Sequence, residues 1–272
     1  MKLMALIGAA VLVAAAPPAS AQIRAQVVPA KFNLSLRPGK PMSRDVSVTN
    51  LSGEPAIVRV RLSDWTMSDQ GQLELVPRGS TPQSLDSLVE FEPREFSLQP
   101  GESGRIHITA RIATDGPATR WGVLLSEVRP AVPRPAGLGP RAIAELGTTL
   151  YLSRAGCTEG RPVITGMDIL RAGGDSVRVS LRMRNLGERH FYVGGEASVA
   201  DSRGAQLATG AVPIGVVLPG RVRHLVWTCP GGLAPGVYKA IMSLDTGEPE
   251  LLVGEASFRW PLPGTVETVI SR

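Results

Sequence analysis

Along most of this chain, apolar and polar residues alternate one for one. Arg44 to Asn50 sets Val46 and Val48 against Asp45, Ser47 and Thr49, and Ala56 to Ser63 sets Val58, Val60 and Leu62 against Arg59 and Arg61. Arg105 to Ile112 repeats the pattern, with Ile106, Ile108, Ala110 and Ile112 inward and Arg105, His107, Thr109 and Arg111 outward. A period of two predicts strands with one buried face in an antiparallel sheet. Further strands are predicted over Gln26 to Leu36, Gln72 to Val76, Trp121 to Val128 and Ala142 to Leu152, with Val89, Phe91, Phe96 and Leu98 as apolar anchors around Pro93. Arg37-Pro38-Gly39, Asp69-Gln70-Gly71 and Pro100-Gly101 are turn signals between them. About seven short strands without an amphipathic helix predict an immunoglobulin-like sandwich. Trp65 is expected in its core or at its rim.

The second half repeats the plan. Ser176 to Asn185 places Val177, Val179, Leu181 and Met183 inward, and further strands follow over Pro162 to Leu170, Arg221 to Thr228, Gly236 to Asp245 and Leu251 to Trp260. Asn185-Leu186-Gly187-Glu188 echoes Asn50-Leu51-Ser52-Gly53-Glu54, and Leu218-Pro219-Gly220 echoes Leu98-Gln99-Pro100-Gly101. Asn50 to Pro100 spans 50 positions and Asn185 to Pro219 spans 34, so the first copy carries 16 more, expected after Trp65. The fold class is therefore all-β, two immunoglobulin-like sandwiches in tandem: 22–155, 156–262, and a tail over 263–272. Near the end of the first, Val132 to Pro140 is a proline-rich loop feeding the strand that closes that sandwich.

Met1 to Ala21 carries Lys2, an apolar run from Leu3 to Ala16 and Ala19-Ser20-Ala21, which together predict a cleavable secretory signal and an exported product without stable membrane insertion. The formal charge is +5, with 29 Lys and Arg against 24 Asp and Glu. The arginines are spread along both halves and aromatics make up only 4%, so no nucleic-acid partner is expected. Cys157 and Cys229 are the only cysteines, and in an oxidising compartment they are expected to form one disulfide. Neither has a second ligand at metal-binding spacing, so no metal is expected.

Catalytic chemistry needs convergent acids, bases or nucleophiles, and the chain offers none. His107, His190 and His224 are isolated, and Gly137 to Ala142 matches a dinucleotide fingerprint only formally, because it leads into a strand rather than a helix. The reading is of a non-enzymatic protein without cofactor. What remains is binding by strand edge: an exposed row of N–H and C=O groups can capture an extended peptide, and Ala142 to Leu152, behind its proline-rich loop, is the candidate edge.

Leu36-Arg37-Pro38-Gly39, Val46-Ser47-Val48-Thr49-Asn50, Val60-Arg61-Leu62-Ser63-Asp64-Trp65, Pro93-Arg94-Glu95-Phe96-Ser97-Leu98-Gln99-Pro100-Gly101 and Arg120-Trp121-Gly122-Val123-Leu124-Leu125 resemble the periplasmic pilus-assembly chaperones of the chaperone/usher type. The resemblance covers mainly Gln26 to Arg154. It implies a periplasmic chaperone whose first domain lends its last strand to incomplete, pilin-like secreted subunits. Transferred here, Ala142, Ala144, Leu146, Leu150 and Leu152 would meet the client, with Lys31 and Arg154 as candidate carboxylate anchors. The alternative reading is a structural or adhesive cell-envelope protein binding cell-wall or other envelope components.

Overall fold

The computed structural model describes residues 23–131 and 143–262, and 266–268 by backbone alone. The expected leader, the proline-rich loop and Ala142 lie outside the described residues. The first half forms strands β1 (Ala25–Val28), β2 (Lys31–Leu36), β3 (Met42–Asn50), β4 (Ala56–Met67), β5 (Leu73–Val76), β6 (Val89–Glu92), β7 (Glu95–Leu98), β8 (Ser103–Ala110), β9 (Thr119–Pro130) and β10 (Ala144–Arg154). The second forms β11 (Pro162–Arg171), β12 (Val177–Asn185), β13 (Phe191–Asp201), β14 (Gln206–Val217), β15 (Val222–Cys229), β16 (Gly236–Asp245), β17 (Leu252–Trp260) and β18 (Val266–Thr268).

Each half is a pair of sheets. In the first, β1-β3-β8-β6 faces β2-β10-β9-β4-β5, with β7 also pairing β4. In the second, β15-β12-β11-β18 faces β14-β13-β16-β17. The alternating positions behave as their pattern requires: Val46, Val48, Val58, Val60, Leu62, Ile106 and Ile108 fill the first core, and Val177, Val179, Leu181 and Met183 the second. β13 and β14 have no clean alternation in the sequence. Register shifts at Val193/Gly195 and Val199/Ala200 break the period of β13, and Gly210, Pro213 and Gly215 interrupt β14. β18 adds a strand from the patternless tail, pairing antiparallel with β11.

The echo between the halves is a hydrogen-bond bracket around one fully buried asparagine in each. Asn50 Nδ2 donates to the Glu54 carbonyl at 2.9 Å, its Oδ1 accepts from Ser52 N at 2.9 Å, and its own carbonyl accepts from Gly101 N. Asn185 Nδ2 donates to the Arg189 carbonyl at 2.7 Å, its Oδ1 accepts from Gly187 N at 2.9 Å, and its carbonyl accepts from Gly220 N. The added length of the first copy contains β5 and the segment before β6, which the buried Asp64 carboxylate gathers by accepting from Thr81 N, Thr81 Oγ1 and, at 2.7 Å, Ser84 Oγ.

The expected disulfide is not formed: Cys157 and Cys229 are both free thiols. Cys229 is paired with Val177 at one end of β12, whereas Cys157 precedes Thr158, whose N–H reaches Glu188 beyond the other end. The length of β12, roughly 26 Å at strand rise, separates them, against about 7 Å for the most widely spaced α-carbons a disulfide spans.

Two outcomes follow. Asn185→Ala leaves carbonyls and N–H groups of two turns without their partner and should cost roughly 2–4 kcal/mol in urea unfolding; a loss below about half that would show that water replaces the bracket. Reductant should leave the unfolding midpoint unchanged, and a reductant-dependent fall would restore the disulfide.

Candidate functional site

β10 changes neighbours part-way along its length. It pairs antiparallel with β9 from Ala144 to Ser153, but with β2, in parallel, only from Thr149 to Arg154. Thr149 N–H donates to the Ala30 carbonyl at 2.9 Å, so the main-chain groups of odd-numbered residues point toward the β2 side. By that alternation, the N–H and C=O groups of Glu145 and Gly147 face the side where, among the described residues, no strand pairs. The open row ends at Thr148, whose Oγ1 donates to the Pro29 carbonyl at 2.8 Å, where the chain crosses from β1 to β2.

The candidate client-contacting residues are thereby divided. Leu150 and Leu152 are 1% and 0% exposed within the first sandwich's own core, and cannot also meet a client. Ala144 packs against that core at its margin. Leu146, on the same face, is half-buried and stays outside the cluster. On the opposite face Glu145 forms an ion pair with Arg61 at 2.6 Å.

Lys31 and Arg154 do not converge. They lie five rungs apart on the β2–β10 ladder, at the levels of Thr149 and Leu36, or roughly 17 Å along the strand. Arg154 donates to the Thr114 and Gly116 carbonyls, whereas Lys31 Nζ stands 3.9 Å from the centroid of the Tyr192 ring, on the second sandwich.

Lys31 belongs to a joint between the sandwiches that alternation could not reveal. Trp65 is not in the sandwich core. With Trp121 and Tyr151 it lies on the outer face of the sheet, each ring centroid 6.0 Å from that of Trp65, and Leu218 and Val216 of the second sandwich pack on this surface. Trp121 Nε1 donates to the Trp65 carbonyl at 3.2 Å. Beside the cluster, His190 stacks on Tyr151 at 3.9 Å, meets Tyr192 edge-on at 5.5 Å, and lies 3.2 Å from Asn33 Oδ1 by Nε2. Arg189 donates to Glu159 at 2.6 Å and to Ser35 Oγ at 2.9 Å. The far side is closed by His224 N–H donating to the Asp69 carbonyl at 2.7 Å.

A cavity of about 660 Å3 remains between the sandwiches, bounded by Asn33, Ser35 and Ser153 on one side and Arg189, Tyr192 and Thr246 on the other. Burial, reinforced by the charges of Lys31 and Arg189, pushes the His190 imidazole down to about 4. Burial raises the Tyr151 phenol, with neighbouring Tyr192 acting in the same direction. The site therefore holds a neutral imidazole stacked on a phenol that burial keeps protonated. Among the described residues no group of His, Cys, Asp or Glu is arranged to hold a metal ion, and no helix is long and apolar enough to cross a membrane.

No family model matches this chain, and no curated protein matches it. Among solved structures it is similar to the YadV chaperone, with 12% identity over 86% of this chain and 99% of that one and a TM-score of 0.45. It is similar to the E. coli chaperone DraB, with 13% identity over 88% and 97% and a TM-score of 0.41. A third is the CsuC-CsuE chaperone–tip adhesion subunit pre-assembly complex of Acinetobacter baumannii, with 12% identity over 74% and 89% and a TM-score of 0.42.

His190 generates a pH-dependent outcome. A histidine whose folded value is depressed contributes fully above its unfolded value near 6.5 and loses that contribution as pH falls toward 4. Wild type should therefore lose about 2–3 kcal/mol relative to His190→Phe between those limits, read as the difference between their urea stabilities at each pH. Parallel profiles would show that His190 titrates normally.

Proposed function

We propose that this chain is a non-enzymatic, exported chaperone-like protein that binds subunits of a surface assembly by accepting a client strand alongside β10. The observation that carries the reading is the open main-chain row at Glu145 and Gly147, bounded where β2 takes the same lateral position from Thr149 onward. A row of unpaired strand groups is both a hazard and a binding device. The resemblance of the first half to periplasmic pilus-assembly chaperones supports the device, and pilin-like subunits are the client class it implies.

The mechanism follows from strand geometry. A client segment entering beside β10 would extend the sheet from the edge inward, exchanging main-chain hydrogen bonds with Glu145 and Gly147. Its alternate side chains would lie beside Ala144 and Leu146 on one face and beside Glu145 on the other. No covalent step is involved.

The alternative, a structural or adhesive envelope protein, is favoured by one observation: Lys31 is engaged with Tyr192 and Arg154 with backbone carbonyls, so the two do not form a joint carboxylate anchor. Sedimentation with purified cell wall separates the two readings, because a chaperone stays in the supernatant.

Leu146→Glu places a charge on the inward face of the open row without touching the core, and should abolish recovery of the client in a pull-down while thermal stability holds. Leu150→Glu is no substitute, because it would unfold the sandwich. Undiminished recovery with Leu146→Glu would reject strand addition at β10.

A further inference from the structure

The open row is short, and its chemistry is uneven. It runs over Ala144 to Thr148 and is closed at one end by the Thr148 to Pro29 hydrogen bond. Three side chains face inward along it. Ala144 is small and already packed against the core, and Thr148 is fully buried with its hydroxyl committed. Of these three only Leu146 is a large apolar side chain that the core leaves half-buried, and Ile143, 57% exposed, stands just before the row. The next two inward positions, Leu150 and Leu152, are covered by the protein itself and lie beyond the closure. On the outward face Glu145 sets a carboxylate beside the row, and its pair with Arg61 is exposed, whereas Gly147 presents no side chain and leaves Val123 within 3.0 Å of where one would stand.

Resting on the strand-addition reading, we propose that this edge takes an extended client segment of about five residues with one large apolar side chain on its inward face, seated against Leu146. The segment carries no acidic residue beside Glu145, because two carboxylates on neighbouring strands repel. Selectivity thus comes from a single apolar subsite and a fixed stop rather than from a ladder of apolar pockets. The client class is accordingly a subunit with a short edge strand that carries one aliphatic or aromatic anchor.

Capped Thr- and Ser-rich peptides carrying no Leu, or one, two or three Leu at alternate positions, can be titrated into the intact chain while the amide resonances of Glu145 and Gly147 are followed. The first Leu should raise affinity about tenfold, and the second and third should leave it within about twofold. Leu146→Ala should remove the first gain and leave the weak binding of the Leu-free peptide unchanged. If each added Leu gives another tenfold, the single-subsite inference is overturned while strand addition stands. If no peptide shifts either amide, strand addition at β10 itself fails. Replacing the residue beside Glu145 by Asp should weaken binding, and an unchanged affinity would overturn the charge rule.

Discussion

The handover of neighbours along β10 is the constraint on which the first sandwich depends. A strand with a partner on each side is part of the fold; a strand with a partner on one side is a surface. β10 is both, because β2 reaches it only at Thr149, after the chain has left the opposite sheet through Val27, Val28, Pro29 and Ala30. The Thr148 hydroxyl on the Pro29 carbonyl fixes that point. Had β2 begun a few residues earlier, the sandwich would have been closed and the row at Glu145 and Gly147 paired. The same segment carries structure and candidate function, divided where Thr148 and Thr149 reach the Pro29 and Ala30 carbonyls.

A second constraint holds the two sandwiches together. Trp65, Trp121 and Tyr151 lie on the outer face of a sheet, where alternation would ordinarily call for polar residues, and they are 1%, 3% and 4% exposed, packed with Val123, Leu125 and Met67 of their own sandwich and Leu218 and Val216 of the other. Edge-on and tilted ring contacts add to the area buried. The stacked His190 and the Lys31 ammonium over Tyr192 complete the contact with groups that would be polar surface on either sandwich alone.

How much of this was legible in the sequence depended on whether the signal was local. The inward faces of β3, β4, β8, β12 and β16 follow from parity alone, and the Asn50 and Asn185 turns show as a repeat in the residues themselves. β13 and β14 escaped because bulges and Gly or Pro residues disrupt the period. Leu146, Leu150 and Leu152 share one parity, so no alternation can tell the half-exposed one from the two in the core; that takes knowledge of where β2 begins. His190 and Tyr192 were opaque for a related reason, since their partners Tyr151 and Lys31 are distant in sequence. The cysteines misled because an even count in an oxidising compartment says nothing about which end of β12 each occupies.

The glutamate beside the open row has a bearing on the protein when no client is present. An unpaired edge invites a second copy to dock as readily as a client, and short length together with charge is how such edges are blunted. Two identical chains approaching by their β10 rows would bring Glu145 of one toward Glu145 of the other, each already held by its own Arg61. The ion pair fixes the carboxylate at the rim, where self-pairing is disfavoured and an uncharged strand is not. On the strand-addition reading, one acidic side chain would serve both solubility and selection at the same edge.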